Sequence, residues 1–361
     1  MTGVHQVLAK LAEGDAIGNE VLGIQRALRH AGYDSEIFVE VADARLAQLT
    51  YDYRALRDFS DRDSLLIHHF SVGSDASRFA YSLPDPMVLV YHNITPPKYF
   101  VEFHPALARF CYLGRRELRA YARRCVLALG DSDYNRKELE SEGFPRTAVL
   151  PVVPDFTHLD VAPSPLVTST FDDDWTNILF VGRIVPNKKF EDLVRFFHAY
   201  QTGFNRRSRL LLVGSHSGFD HYLDALVQLI HELGQQEHVL LTGHVSNAEL
   251  TAYYDVADLF LCASEHEGFC VPLVEAFYKR VPVMAYAAAA VPSTMDGAGV
   301  LYDTTNPTDV ATLMDDLLSD ATAQEGVVRG QLSALERLTS KDFARTLLGF
   351  VDTSRAAAAG R

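Results

Sequence analysis

Only four cysteines occur among the 361 residues, and none forms a CxxC pair. Cys111, Cys125, Cys262 and Cys270 therefore have the spacing of neither a zinc site nor a disulfide frame, and Cys262, inside the apolar run LFLCAS, reads as a reduced core thiol. Long apolar runs are also missing. The longest, such as Met87 to Tyr91 and Val281 to Ala290, stop well short of the roughly 20 residues a spanning helix needs. The opening MTGVHQVLAKLAEGD carries acids at Glu13 and Asp15 and has no basic leader or small-residue cleavage site, so a cytoplasmic location is expected. Basic charge is scarce: 33 Lys and Arg face 47 Asp and Glu, a net charge of −14. A field of that sign repels polyphosphate backbones, and nucleic acid is not an expected partner. The chain also lacks a GxGxxG following a strand with an acid about 20 residues on, which counts against an NAD-dependent dehydrogenase. It shows no repeat of solenoid period.

The composition, 48% apolar and 22% charged, is that of a folded, soluble chain, and its length suits two domains. Short β-branched-rich runs (EIFVEV, SLLIHHF, MVLVYH, CVLALG, then NILFVG, RLLLVG, HVLLTG, LFLCAS, PVMAYA) alternate with longer amphipathic stretches. That alternation predicts an α/β protein with parallel sheets covered by helices. Between the two sets lies PVVPDFTHLDVAPSPLVTSTFDDDWT, with the composition of a linker. The expected organisation is two Rossmann-like domains, residues 1–160 and 175–338, and a C-terminal helix and tail, 339–361. Two such sheets would face each other across a cleft, where ligands of open α/β sheets usually lie.

The segment SEHEGFCVPLVEAF, residues 264–277, follows the strand LFLCAS and opens a helix with Pro272 in its first turn. Backbone N–H groups at Gly268, Phe269, Cys270 and Val271 would then point outward with the positive end of the helix dipole, a site for hydroxyl or phosphate oxygens. Glu267 lies in the loop. Glu275 lies about one turn inside the helix, where a carboxylate can accept two hydrogen bonds from a ribose diol. In NILFVGRIVPNKKFEDLV a strand ends at Gly182 and presents the cations Arg183 and Lys188 at the sheet's carboxyl edge.

With EGFCVPLVEA in the place of EGFxxPxxEA, the chain resembles the retaining glycosyltransferases of family 4, which have the GT-B fold. The second motif of that family, GRxxxxKG, is matched by Arg183 and Lys188, with Lys189 replacing the glycine. The resemblance implies that Arg183 and Lys188 bind the donor diphosphate, that Glu267 and the amides after it hold the donor sugar, and that Glu275 holds the ribose. It implies that His92, at the end of MVLVYHNITPPKYF, lies near the sugar. It places His244 and Val245, in TGHVSNAEL, beside the nucleotide base, and Gly14 and Gly18, in LAEGDAIGNEVL, in a phosphate-approaching loop that loosely matches GGxE at Gly18-Asn19-Glu20. His68 and His69 read as packing or loop residues. In this fold the pairs Asp61 with Asp63, Asp131 with Asp133 and Asp172 with Asp174 are not metal sites, Asp131-Ser132 reading as a helix N-cap.

The reaction that the resemblance implies is transfer of a hexose from a UDP- or GDP-sugar to an acceptor hydroxyl with retention and without a metal or cofactor, the acceptor attacking from the face the diphosphate leaves. Adenosine diphosphate also stays open for the nucleotide. The acceptor is carbohydrate, lipid-linked or a small molecule. The alternative is a non-catalytic nucleotide-sugar binder of the same fold. GRRELRAYARRC, with Arg115, Arg116, Arg119, Arg123 and Arg124, leaves weak peripheral contact with anionic lipid open beside a solvated or acceptor-facing helix. SKDFARTLLGFVDTS is the expected crossover helix returning to the first domain.

Overall fold

A computed structural model describes residues 3–12, 16–152 and 154–359. The chain divides into two units: residues 1–101, 105–153 and 341–361 make the first, and residues 102–104 and 154–340 the second.

The first unit is built on a parallel sheet of seven strands: β1 (Val4–Leu11), β2 (Ile37–Ala42), β3 (Thr50–Asp52), β4 (Leu65–Phe70), β5 (Met87–Tyr91), β6 (Cys125–Gly130) and β7 (Thr147–Val149). Their order is β3-β2-β1-β4-β5-β6-β7. β4 and β5 are buried at every position, as expected of strands covered on both faces; β5 reads as an unbroken apolar run, while β4 buries His68 and His69 among its apolar residues. The C-terminal helix Phe343–Ala359 belongs to this unit. Its Leu347 and Val351 pack with Ile24, Leu28, Ile67 and Val90, closing the core on the side of the helix Ala16–His30. The expected crossover helix thus returns to the first domain.

The second unit repeats the plan with β8 (Thr176–Val181), β9 (Ser208–Val213), β10 (Val239–Gly243), β11 (Leu259–Cys262), β12 (Val283–Tyr286) and β13 (Val300–Tyr302), ordered β10-β9-β8-β11-β12-β13. Strand order reverses between β8 and β11, so the loops leaving those two strands diverge to opposite faces and leave a crevice at the carboxyl edge. Helix starts are fixed by their own side chains. Ser246 accepts from the Glu249 amide while Glu249 accepts from the Ser246 amide, a reciprocal cap, and Ser132 accepts from the Asn135 amide at 3.2 Å.

The basic stretch is mostly tied down inside the first unit. Arg115 pairs with Glu138 and donates to the Ile94 carbonyl at 2.6 Å, Arg119 pairs with Glu142 at 2.5 Å, and Arg124 donates to the Leu83 and Asp85 carbonyls. The helix itself, Pro105–Tyr121, ends before Arg123 and Arg124. No helix among the described residues is long and apolar enough to cross a membrane.

Candidate active site

The carboxyl edge of the second sheet gathers most of the residues singled out from sequence. β8 ends at Val181, and Gly182 lets the Lys188 side chain lie across the strand end; a Cβ there would meet Lys188 Cδ at 3.2 Å. Lys188 closes a single turn, Pro186–Lys188, and Lys189 follows in the left-handed region at φ 55°. That conformation favours glycine, which explains the glycine of the related motif. Lys189 turns to its own helix, pairing with Glu191 at 2.7 Å and Asp192 at 3.5 Å.

Lys188 instead reaches the neighbouring loop, its Nζ standing 2.6 Å from Glu267 Oε1. Both side chains are largely buried, 15% and 11% exposed. Burial pulls the Lys188 ammonium down, but the facing Glu267 carboxylate outweighs it, and the net shift is upward, so this lysine stays charged. One ammonium N–H goes to Glu267, and an ammonium has three. The two loops are also pinned by Asn187, whose amide donates to the His266 carbonyl at 2.9 Å and whose carbonyl accepts from the Glu265 amide at 3.0 Å. Sequence reading had no signal for that tie. Arg183 is exposed at the same edge, its guanidinium donating to the Ser217 carbonyl at 3.2 Å and lying over the Phe219 ring, 5.6 Å from its centroid.

After β11 the chain passes through Glu267, Gly268 and Phe269, all partly buried, into the helix Val271–Tyr278. Cys270 precedes it at φ 73°, and among the described residues no side chain caps the helix start. The amides at this end are thus not satisfied by a side-chain cap, which suits an oxygen ligand. The Cys270 thiol lies against that of Cys262, and all four cysteines are buried thiols.

Glu275 is buried within the helix, and its two oxygens are engaged. Oε1 lies 2.9 Å from His158 Nε2, and Oε2 accepts from the Tyr254 hydroxyl at 2.8 Å. Neither partner was foreseen, since His158 comes from the linker segment and Tyr254 from another helix. The hydrogen bond from His158 to Glu275 raises the imidazole above its usual pKa against the pull of burial. Folded His158 therefore holds its proton more tightly than the unfolded chain does. The pair stabilises the second unit fully below about pH 6.5, and its contribution fades as pH rises through the folded value. The difference in Tm between the parent and His158→Gln should accordingly shrink from pH 5.5 to pH 8.5 (about three units); curves that stay parallel would remove the assignment. His244 is exposed and Val245 half-buried in the loop after β10, on the same edge.

His92 belongs to the first unit. Its side chain is only 2% exposed, with Nε2 held 2.9 Å from His69 Nδ1, so it is a buried, hydrogen-bonded ring rather than an open one. Gly18 does not lie in a loop. It sits in the first turn of the helix Ala16–His30, where a Cβ would fall 2.4 Å from the Ala12 carbonyl oxygen, so close packing of helix on strand end accounts for it. Gly14 lies outside the described residues. The Asp131-Ser132 pair does hold the helix N-cap, supplied by its serine, and Asp131 faces His92 and Asn135. Among the described residues no cluster of three metal-ligating side chains occurs.

Residues 168–329 match the family described as glycosyl transferases group 1. The O-antigen chain mannosyltransferase B of Escherichia coli is 27% identical over 160 residues, 43% of this chain and 40% of its own. The GDP-mannose-dependent α-(1-6)-phosphatidylinositol monomannoside mannosyltransferase of Mycolicibacterium smegmatis is 28% identical over 206 residues, 52% of each chain. The chain thus spans about half the length of the curated relatives it matches. Among solved structures, the sucrose-phosphate synthase of Thermosynechococcus elongatus superposes with a TM-score of 0.76 at 16% identity over the whole of both chains. HepE of Anabaena in complex with UDP-glucose does so with 0.73 at 15% identity, over 98% of this chain and all of its own. The fold is that of these structures, GT-B.

Proposed function

We propose, on the premise that residues 168–329 form a group 1 glycosyl transferase domain, that this chain moves a hexosyl group from a nucleoside diphosphate sugar to an acceptor hydroxyl with retention at the anomeric carbon. The observation that carries the reading is the Lys188–Glu267 pair, joining the loops after β8 and β11 at the point where strand order reverses, with Arg183 on the same edge. Here the anionic leaving group meets two cations and an uncapped helix start, which together stabilise charge as the sugar–phosphate bond breaks. Glu267 orients the sugar, the amides of Gly268 to Val271 take hydroxyl or phosphate oxygens, and Glu275, held by Tyr254 and His158, takes the ribose. Backbone groups near His244 and Val245 meet the base. His92 is the residue of the first unit assigned to the reaction, and the acceptor is carbohydrate, lipid-linked or a small molecule. No metal enters the reading, because Arg183 and Lys188 carry the counter-charge.

The donor is a UDP- or GDP-sugar, the classes to which UDP-glucose of the HepE complex and GDP-mannose of the Mycolicibacterium relative belong. Thermal-shift measurements over both classes test this: at a hundred times Kd the preferred sugar should add about 2.7 kcal/mol of stability, a Tm rise of several degrees. Release of nucleoside diphosphate with an acceptor should then persist in EDTA. No shift with any nucleotide sugar would sink the reading, and turnover abolished by EDTA would sink its metal-free form.

A further inference from the structure

The first unit contains a chain of buried polar groups that ends on His92. The Gln6 amide nitrogen donates to the Val21 carbonyl at 3.1 Å, which fixes the amide and turns Oε1 toward His69 Nε2, 2.9 Å away. An amide oxygen only accepts, so His69 carries its proton on Nε2. Deep burial holds His69 neutral, the imidazole being pushed well below its usual pKa. Its Nδ1 is then an acceptor, and the group 2.9 Å from it, His92 Nε2, must be the donor. The two rings lie nearly coplanar, 8° apart.

His92 Nδ1 is left facing two carboxylates, with Glu20 Oε2 at 3.7 Å and Asp131 Oδ2 at 3.8 Å. Asp131 is anchored by the Asn135 amide, which donates to its other oxygen. The Glu20 side chain, on the helix Ala16–His30, is buried, and among the described residues its Oε1 has no hydrogen-bond partner. Burial raises Glu20 to about 7 against the opposing pull of His92, so near neutrality this acid is poised between its two forms. Among the described residues, the titratable groups facing His92 include Glu20, His69 and Asp131, with His68 behind them, itself buried and bonded to the Ser77 hydroxyl at 3.0 Å.

We infer that Gln6 and His69 are positioning residues that lock His92 as its Nε2–H tautomer, so that Nδ1 is the nitrogen turned toward the Glu20 and Asp131 carboxylates. This rests on His92 serving the proposed transfer only for its effect on rate; the tautomer itself follows from the hydrogen bonds.

Long-range proton–nitrogen NMR of the full chain labelled at histidine reads the tautomer directly. The parent should show His92 protonated on Nε2 and His69 neutral throughout the neutral range. In His69→Phe the acceptor is gone, and the His92 pattern should move toward Nδ1–H. With the nucleotide sugar found by thermal shift, kcat of this variant should fall roughly tenfold with donor KM within about twofold, and its pH profile should move. His69→Asn, whose amide oxygen can accept the same proton, should recover most of the loss. An Nδ1–H tautomer in the parent, unchanged His92 signals in His69→Phe, or equal loss in the Phe and Asn variants would overturn the inference. If the Phe variant does not fold, the parent spectrum and the Asn variant still decide. A parent that turns over no nucleotide sugar overturns the proposed function while the spectra judge the tautomer by themselves.

Discussion

Lys188→Ala is expected to lower turnover on the nucleotide sugar by about a hundredfold while donor KM changes by less than about threefold, because a charge that builds up in the transition state is stabilised more than the ground state. The same substitution destabilises. Glu267 is 11% exposed, and without the ammonium 2.6 Å away it becomes a buried carboxylate lacking its counter-charge. Breaking such a pair costs about 3 kcal/mol or more. The two effects separate in the double variant Lys188→Ala/Glu267→Gln, which removes the uncompensated charge. Its melting temperature should return most of the way to the parent value, whereas turnover should not. Rates equal to the parent in Lys188→Ala would take the lysine out of the chemistry, and a double variant no more stable than the single one would deny the charge argument.

Gly214→Ala should be the most damaging single methyl in the second unit. Gly214 follows β9 at φ 153°, and a Cβ would stand 2.0 Å from the Gly182 carbonyl oxygen and 3.3 Å from the Arg183 amide. Those atoms are backbone, so nothing can rotate away. Gly214 also donates to the Gly243 carbonyl at 3.1 Å, drawing the ends of β8, β9 and β10 together. A loss of about 3 kcal/mol is expected in urea unfolding, from overpacking together with a strained φ. Gly326→Ala is the control, since that glycine lies inside the helix Ala321–Thr339 with nothing within 4 Å of a built Cβ. It should gain about 0.5–1 kcal/mol from helix propensity. Similar midpoints for the two variants would contradict the close approach at the sheet edge.

Much of this architecture is legible in the linear pattern. The fully buried strands β5 and β11 are the apolar runs MVLVY and LFLC, because a strand covered on both faces has no polar side to show, and β4, LLIHHF, departs from this only by burying His68 and His69. The three C-terminal helices appear as periodic stretches after Asn306, and they are found at Pro307–Ser319, Ala321–Thr339 and Phe343–Ala359. β3 and β13 escape notice because three residues are too few to display a period. At the candidate site, Arg183, Lys188, Glu267 and Glu275 are visible through spacing around a strand end and a helix start. Asn187, Tyr254 and His158 are not, since their partners lie 21 to 117 residues away or act through backbone carbonyls.

Alternating apolar runs, the two motif segments and the Pro-, Ser- and Thr-rich stretch between the sheets determined by themselves the fold class and which loops carry charged side chains, because both depend on local periodicity and on turn chemistry. Tertiary structure alone decided how those charges are spent: Lys188 on Glu267 and Lys189 on its own helix, Glu275 between Tyr254 and His158, His92 on His69. Pairing depends on which strand ends the sheet order brings side by side and on how deeply each group is buried, and neither quantity is a property of neighbouring residues in the chain.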